Sequence, residues 1–192
     1  LNNGLLYALI ALGYTLVYGI IELINFAHGD LFMLGAVFSF AVLTEFLGAD
    51  SPSATNYALL LLVLLLTMLF RAIVNTSIER LAYRRLRNAP KLAPLITAVG
   101  MSFVLQWIGL KWIGSNPVNV NTVLPSTSFE LAGVVINFKT LIIFAITIPL
   151  LIVLAFIVNK TKRGRAMRAT AQDVDASRLM GIDVNQTITF TF

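Results

Sequence analysis

Between two long apolar stretches stands Glu22-Leu-Ile-Asn-Phe-Ala-His-Gly-Asp30, nine residues holding two carboxylates, an amide and the chain's one imidazole. The carboxylates of Glu22 and Asp30 could serve ion coupling, and all four groups, Asn25 and His28 included, could offer hydrogen bonds to a polar solute. Which of these applies depends on depth. As a turn in water the cluster is merely solvated charge; within a membrane its carboxylates must face protein or a wet path, and function follows. Gly29 permits a helix break there, and Asn or Asp can cap the segment restarting at Leu31. Both readings stand on the sequence alone. A second polar group, Gln106, shares a helical face with Ala98, Ser102 and Gly109, and an amide at that position needs a partner from a neighbouring helix or a watery path. With no cysteine there is neither thiolate chemistry nor a disulfide framework, and one histidine gives no basis for a His-rich metal centre.

The elements that position these groups are dictated by composition. Apolar residues make up 58% of the 192 and charged residues 12%, and the mean hydropathy is +0.85. A water-facing globule needs about twice that charge, and a disordered chain needs low hydrophobicity. The expected fold is therefore all-α, a polytopic helical integral membrane protein. Stretches of the required length of about 20 residues run over 1–21, 31–47, 57–78, 92–110 and 140–159, predicting about five transmembrane helices. Arg71 lies near the end of the third, where its side chain is expected to reach the interface. Gly4, Ala8, Ala11, Thr15 and Gly19 form a small-residue face on the first span, expected to pack against another helix.

Eleven of the fourteen basic residues fall in two segments, Arg80–Lys91 and Lys160–Arg178. By the positive-inside rule both are cytoplasmic and the loops 45–56 and 112–138 external. The net charge of +5 is then a topology signal, and no nucleic-acid partner is expected. Asn75-Thr-Ser77 and Asn185-Gln-Thr187 fit the glycosylation triplet but fall at or near cytoplasmic positions and read as chance. The abrupt ends at Leu1 and Phe192 suggest a piece of a longer protein.

After the fifth span, Lys160-Thr-Lys-Arg-Gly-Arg-Ala-Met-Arg-Ala-Thr-Ala-Gln-Asp-Val-Asp-Ala-Ser-Arg-Leu-Met-Gly-Ile182 is too polar to cross a membrane and rich in helix formers. Arg165 to Ala171 predicts a short helix. Asp173 is the expected N-cap of a second over Val174 to Met180, and Gly181 its stop. Two turns are marginal alone in water, so the apolar face at Val174, Leu179 and Met180 must dock on something. Anionic lipid and a cytoplasmic protein both fit.

The stretch Gly13-Tyr-Thr-Leu-Val-Tyr-Gly-Ile-Ile-Glu-Leu-Ile-Asn-Phe-Ala-His-Gly-Asp-Leu-Phe-Met-Leu-Gly-Ala36 resembles the N-terminal signature of LivH-type permeases, membrane subunits of bacterial ABC importers for branched-chain amino acids. Glu79-Arg-Leu-Ala-Tyr-Arg-Arg-Leu-Arg87 with Leu95-Ile-Thr-Ala-Val-Gly-Met-Ser102, and Gly164-Arg-Ala-Met-Arg-Ala-Thr-Ala-Gln-Asp173 with Ala176-Ser-Arg-Leu-Met-Gly-Ile182, are similar to the same family in the same order.

The resemblance implies one transmembrane permease domain over 1–192, lacking the family's C-terminal spans, with a cytoplasmic coupling segment at 160–186. Within that segment Arg165, Arg168, Asp173, Arg178, Leu179 and Gly181 would engage an ATPase. Asn25, His28, Asp30 and Gln106 are the candidates for the translocation path or its gate. The implied partners are two cytoplasmic ATPase subunits, a second homologous permease, an extracytoplasmic solute-binding protein and membrane lipid, at the bacterial inner membrane. The chain has no G-x-x-x-x-G-K-[ST] loop, so ATP and magnesium would be used by the partner subunits and this chain needs no cofactor, metal or catalytic residue of its own. Urea, short amides or other amino acids are alternative solutes. An ion-coupled secondary transporter relying on Glu22 and Asp30, a channel, and a purely structural subunit are the rival classes.

Overall fold

The computed structural model describes residues 2–21, 24–48, 54–87, 89–90, 92–115, 128–131 and 134–192. Helix α1 spans Asn2–Ile21 and α2 His28–Phe40, the latter prolonged by a π-helical turn over Ala41–Phe46. Helix α3, Ala54–Ile78, continues through a π turn, Glu79–Tyr83, and a 3-10 turn, Arg84–Leu86. Helices α4 (Leu92–Ile113) and α5 (Phe138–Lys160) complete the long elements, followed by α6 (Lys162–Gln172), α7 (Val174–Leu179) and α8 (Val184–Thr191). His28–Phe46, Ala58–Leu86, Leu92–Ile113 and Phe138–Lys160 are long and apolar enough to span a bilayer; the described apolar stretch of α1, Leu6–Ile20, is shorter. The five expected spans are thus all helical, and the molecule is a polytopic α-helical membrane protein.

Two features go beyond the expected pattern. The segment between α4 and α5 contributes two antiparallel strands, β1 (Ser128–Leu131) and β2 (Val134–Asn137), pairing Ser128 with Asn137 and Leu131 with Val134. The basic stretch after the third span is helical through Leu86 and not a loop. Glu22, Lys91 and, within the loops at 45–56 and 112–138, residues 49–53, 116–127 and 132–133 lie outside the described residues.

Apolar residues in this chain divide by face. On α3, Leu61, Leu65, Leu69 and Ile73 recur every fourth residue and are all more than half exposed, the stripe a helix presents to lipid. Phe70, Val74 and Ile78 turn the other way, into a core with Ala27, Leu31 and Leu34 of the α2 region and Ala98 and Leu105 of α4. Helix α2 therefore packs on α3 and α4, while α1 packs on α5, α6 and α8. The two basic segments meet at one end of the bundle, where Arg80 and Arg84 share a cleft with Lys162 and Arg163. Their common side is what the alternation of charged and uncharged loops requires.

One expectation is corrected. Arg71 does not reach for an interface: it sits seven residues before the end of α3 proper, folded against α2, with its guanidinium 5.7 Å from the Phe32 ring centroid. A Cβ on Gly35 would stand 2.5 Å from Arg71 Cδ, so the missing side chain at Gly35 makes this seat. The small-residue face of α1 does not pack within the chain: Gly4, Ala8, Ala11, Thr15 and Gly19 are all exposed, because α1 turns the Val17 side inward.

At the α5–α6 corner, Gly164 is buried and a Cβ there would meet the Val158 carbonyl oxygen at 2.1 Å and that of Ile157 at 2.3 Å. Rigid backbone cannot yield as a side chain would. Gly164→Ala is expected to destabilise the fold by about 1–3 kcal/mol, read as a lowered Tm of the detergent-purified protein. Gly100→Ala, on α4 with nothing within 4 Å, should leave the Tm within a degree or two.

Candidate functional site

The segment 160–186, the candidate for coupling, is built by three local devices. Thr161 caps α6, its hydroxyl accepting from the Gly164 N–H at 3.1 Å. Asp173 is the hinge between α6 and α7: its backbone is extended, and its Oδ1 accepts from the N–H groups of Asp175 and Ala176, each at 2.9 Å. Such a cap supplies partners to orphan amides and is worth about 1 kcal/mol. At the other end Gly181 has φ +80°. Its N–H bonds the Arg178 carbonyl and the Ile182 N–H bonds that of Ser177, both at 3.0 Å. This pair of bonds is the Schellman termination, which needs a left-handed residue where glycine alone is free of strain. Both ends of α7 therefore lie where the sequence placed them.

The side chains of the segment divide into those used within the chain and those left over. Arg168 donates to the carbonyl of Val158 at the end of α5, which satisfies a helix-terminal acceptor. Arg178 pairs with Asp175 at 3.1 Å in the open, a contact worth little by itself. Arg165 is exposed. Leu179 and Met180 are 88% and 82% exposed, large apolar groups at the tip of a two-turn helix whose base, Ser177, is buried.

The path candidates fall into three places. Asp30 accepts from the Ser102 hydroxyl, and the Gln106 amide donates to Asp30 Oδ1 at 3.1 Å and to Ser102 Oγ at 3.2 Å. Ser102 lies roughly 15 Å along α4 from Leu92 at 1.5 Å per residue, so this carboxylate sits well inside a spanning helix pair. His28 rests against α1: a Cβ on Gly13 would stand 3.0 Å from its Nε2, and its ring meets Tyr14 edge-on at 6.2 Å. Gly13 is about 12 Å back from the α1 terminus, so α2 starts alongside α1 and not beyond its end. The segment behaves as a broken helix, and a simple solvated turn does not describe it. Asn25, 2% exposed, staples the break, its Oδ1 accepting from the Tyr83 hydroxyl at 2.9 Å and the Ala27 N–H at 3.2 Å.

A polar seam connecting these regions has no counterpart in the sequence reading. Glu79 is fully buried. Its carboxylate pairs with Arg87 and accepts from the Thr189 hydroxyl at 2.8 Å, while Arg87 also donates to Asn185. Asn75 donates to the Phe192 carbonyl, and the Phe192 ring meets Tyr83 at 5.6 Å. Both apparent glycosylation asparagines are thus engaged in structure. The signal available in advance was a lone carboxylate where an apolar span gives way to arginines. Among the described residues no cluster of His, Asp and Glu could hold a metal ion.

Glu79→Ala would strand Arg87 and is expected to cost about 3–5 kcal/mol, whereas Glu79→Met with Arg87→Met removes both charges and should recover most of that loss. Thermal unfolding of the single and double variants in detergent measures the difference.

A family model described as branched-chain amino acid transport system / permease component matches residues 1–192. The permease protein BraD of a high-affinity branched-chain amino acid transport system in Pseudomonas aeruginosa is 38% identical over 198 residues, covering 100% of this chain and 63% of that protein. LivH of Escherichia coli K12, described in the same terms, is 35% identical, covering 98% of this chain and 62% of its own length. A probable LivH of Methanocaldococcus jannaschii is 27% identical over 189 residues, covering 97% of this chain and 58% of that protein. The chain therefore spans less than two thirds of the length of these curated relatives. No solved structure matches it. The match over residues 1–192, with relatives 34–38% identical across nearly the whole chain, makes this chain a member of the branched-chain amino acid transport system permease family.

Proposed function

We propose that the chain is membrane-spanning permease machinery of an ABC importer that carries branched-chain amino acids across the bacterial cytoplasmic membrane. ATP hydrolysis occurs in two separate cytoplasmic subunits, with magnesium bound there. The segment 160–186 is the part they grip. The observation that carries this reading is α7: a helix too short to stand alone, capped at both ends, with Leu179 and Met180 almost wholly exposed. On the cytoplasmic side such an exposed apolar tip marks a surface made to seat in a partner's groove. Arg165 and Arg178 supply charge at its rim, and Asp173 and Gly181 hold its angle.

Solute arrives from an extracytoplasmic binding protein and passes between this chain and a second permease. The exposed small-residue face of α1 supports close approach of another helix. Along the path, Asp30, Ser102 and Gln106 offer acceptors and donors to a polar solute, while Asn25 and His28 hold the break that brings Asp30 to depth. A transit site must bind weakly enough to release, and three polar side chains on two helices meet that need.

In the reconstituted transporter, Leu179→Glu and Gly181→Val should each reduce solute-stimulated ATP hydrolysis by roughly tenfold or more, since an interface hot spot contributes at least about 2 kcal/mol. Membrane insertion should be unaffected. Unchanged hydrolysis in both variants would remove the coupling assignment. Uptake of labelled leucine should be competed by valine and isoleucine and not by urea. Uptake that survives ATP depletion but stops when the ion gradient is dissipated would place the energy source at Asp30 instead.

A further inference from the structure

A cleft of about 750 Å³ opens where the end of α3 faces α6 and α8. Its walls carry Arg80 and Arg84 from the turns closing α3, and Lys162 and Arg163 from the first turn of α6. These four cations come from segments some eighty residues apart in sequence, and folding brings them around one space. Repulsion among them needs a counter-charge, and the chain offers little. The carboxylate in the lining is Asp183, whose Oδ1 already accepts from the Gln186 N–H at 3.0 Å. The nearby Glu79 is committed to Arg87. Among the described residues Arg80, Arg84 and Lys162 make no ion pair. Arg163 is held with its guanidinium 4.4 Å over the Phe190 ring, an arrangement that orients the group while leaving its N–H edges free.

We propose that this cleft binds a phosphate-bearing anion at the membrane surface. The position fits: Arg80 follows the last apolar residue of α3, Ile78, and Lys162 follows the end of α5 at Lys160, and basic residues flanking apolar spans belong with the headgroups. The size falls in the range of about 300–1,000 Å³ usual for ligand sites. The chemistry is charge-assisted hydrogen bonding of phosphate oxygens by guanidinium and ammonium groups, with Phe190 giving an apolar wall against which a glycerol backbone can lie. Bound there, a phosphate bridges α3 to α6 and neutralises the charge that otherwise drives them apart. The phosphate comes from an anionic phospholipid or from a soluble phosphate compound, and the two sources share one set of contacts.

The full-length chain, purified in a neutral detergent, allows the test. Native mass spectrometry would compare retention of phosphatidylglycerol with phosphatidylcholine, and calorimetry would titrate inorganic phosphate. The wild type should prefer phosphatidylglycerol by about tenfold. The double variant Arg84→Gln/Lys162→Gln should lose that preference, as should the milder Arg80→Gln in part. Arg85→Gln, exposed and outside the cleft, should keep it. Phosphate binding without lipid preference, lost in the double variant, assigns the soluble source and upholds the site. Equal lipid retention in all variants together with no phosphate binding overturns it. So does loss of ATPase-subunit co-purification with anion binding unchanged, which would assign the cleft to an acidic protein surface.

Discussion

The buried carboxylate of Glu79 is the constraint on which the arrangement turns. A charge removed from water is costly unless paired and hydrogen-bonded, and Glu79 has both an arginine and a hydroxyl. Those partners are far apart in sequence: Arg87 closes the turn before α4, and Thr189 lies on α8. Meeting the needs of one carboxylate thus ties two helical groups together. One group, α2, α3 and α4, holds Asp30, Ser102 and Gln106. The other, α1 with α5, α6 and α8, carries the short tip of α7. Dispersion forces between apolar helices are not selective in lipid, where tails pack as well as leucine does. A polar seam is selective, and it fixes which end of α3 meets α8.

That arrangement gives a physical route between the proposed motor contact and the proposed path. Displacement of α7 moves α6 and α8, which are packed on each other. Through Thr189 and Asn185 the movement reaches Glu79 and Arg87, and through Phe192 it reaches Tyr83. Tyr83 holds Asn25, and Asn25 lies at the break below His28 and Asp30. From α8 onward each link is a hydrogen bond, an ion pair or a ring contact with defined geometry.

Much of this was legible from residue types. The all-helical membrane fold and the common side of the basic segments followed from hydropathy and charge, and the ends of α7 followed from Asp173 and Gly181, whose local bonding rules need no tertiary information. The pairing of Asp30 with Gln106 was not legible, since helical spacing gives faces but not which faces meet. Arg71 was misjudged for a related reason: its distance from a span end was read from an apolar run that stops at Ile78, while the helix itself continues to Leu86. The break at 24–27 stayed open because composition alone carries no depth; the empty place at Gly13, which admits His28, supplies it. Glu79 looked like one more charge in a basic loop because its satisfaction depends on a residue 110 positions away.

The crowding at Gly164 bears on mechanics. With the start of α6 pressed on the carbonyls of Ile157 and Val158, and Arg168 clasping the latter, the corner has no slack to bend or slide. A push on the α6 arm is therefore passed through backbone contact to the longer arm, α5. The compliant point in that arm is Pro149, inside α5, where a missing backbone bond lets a helix flex.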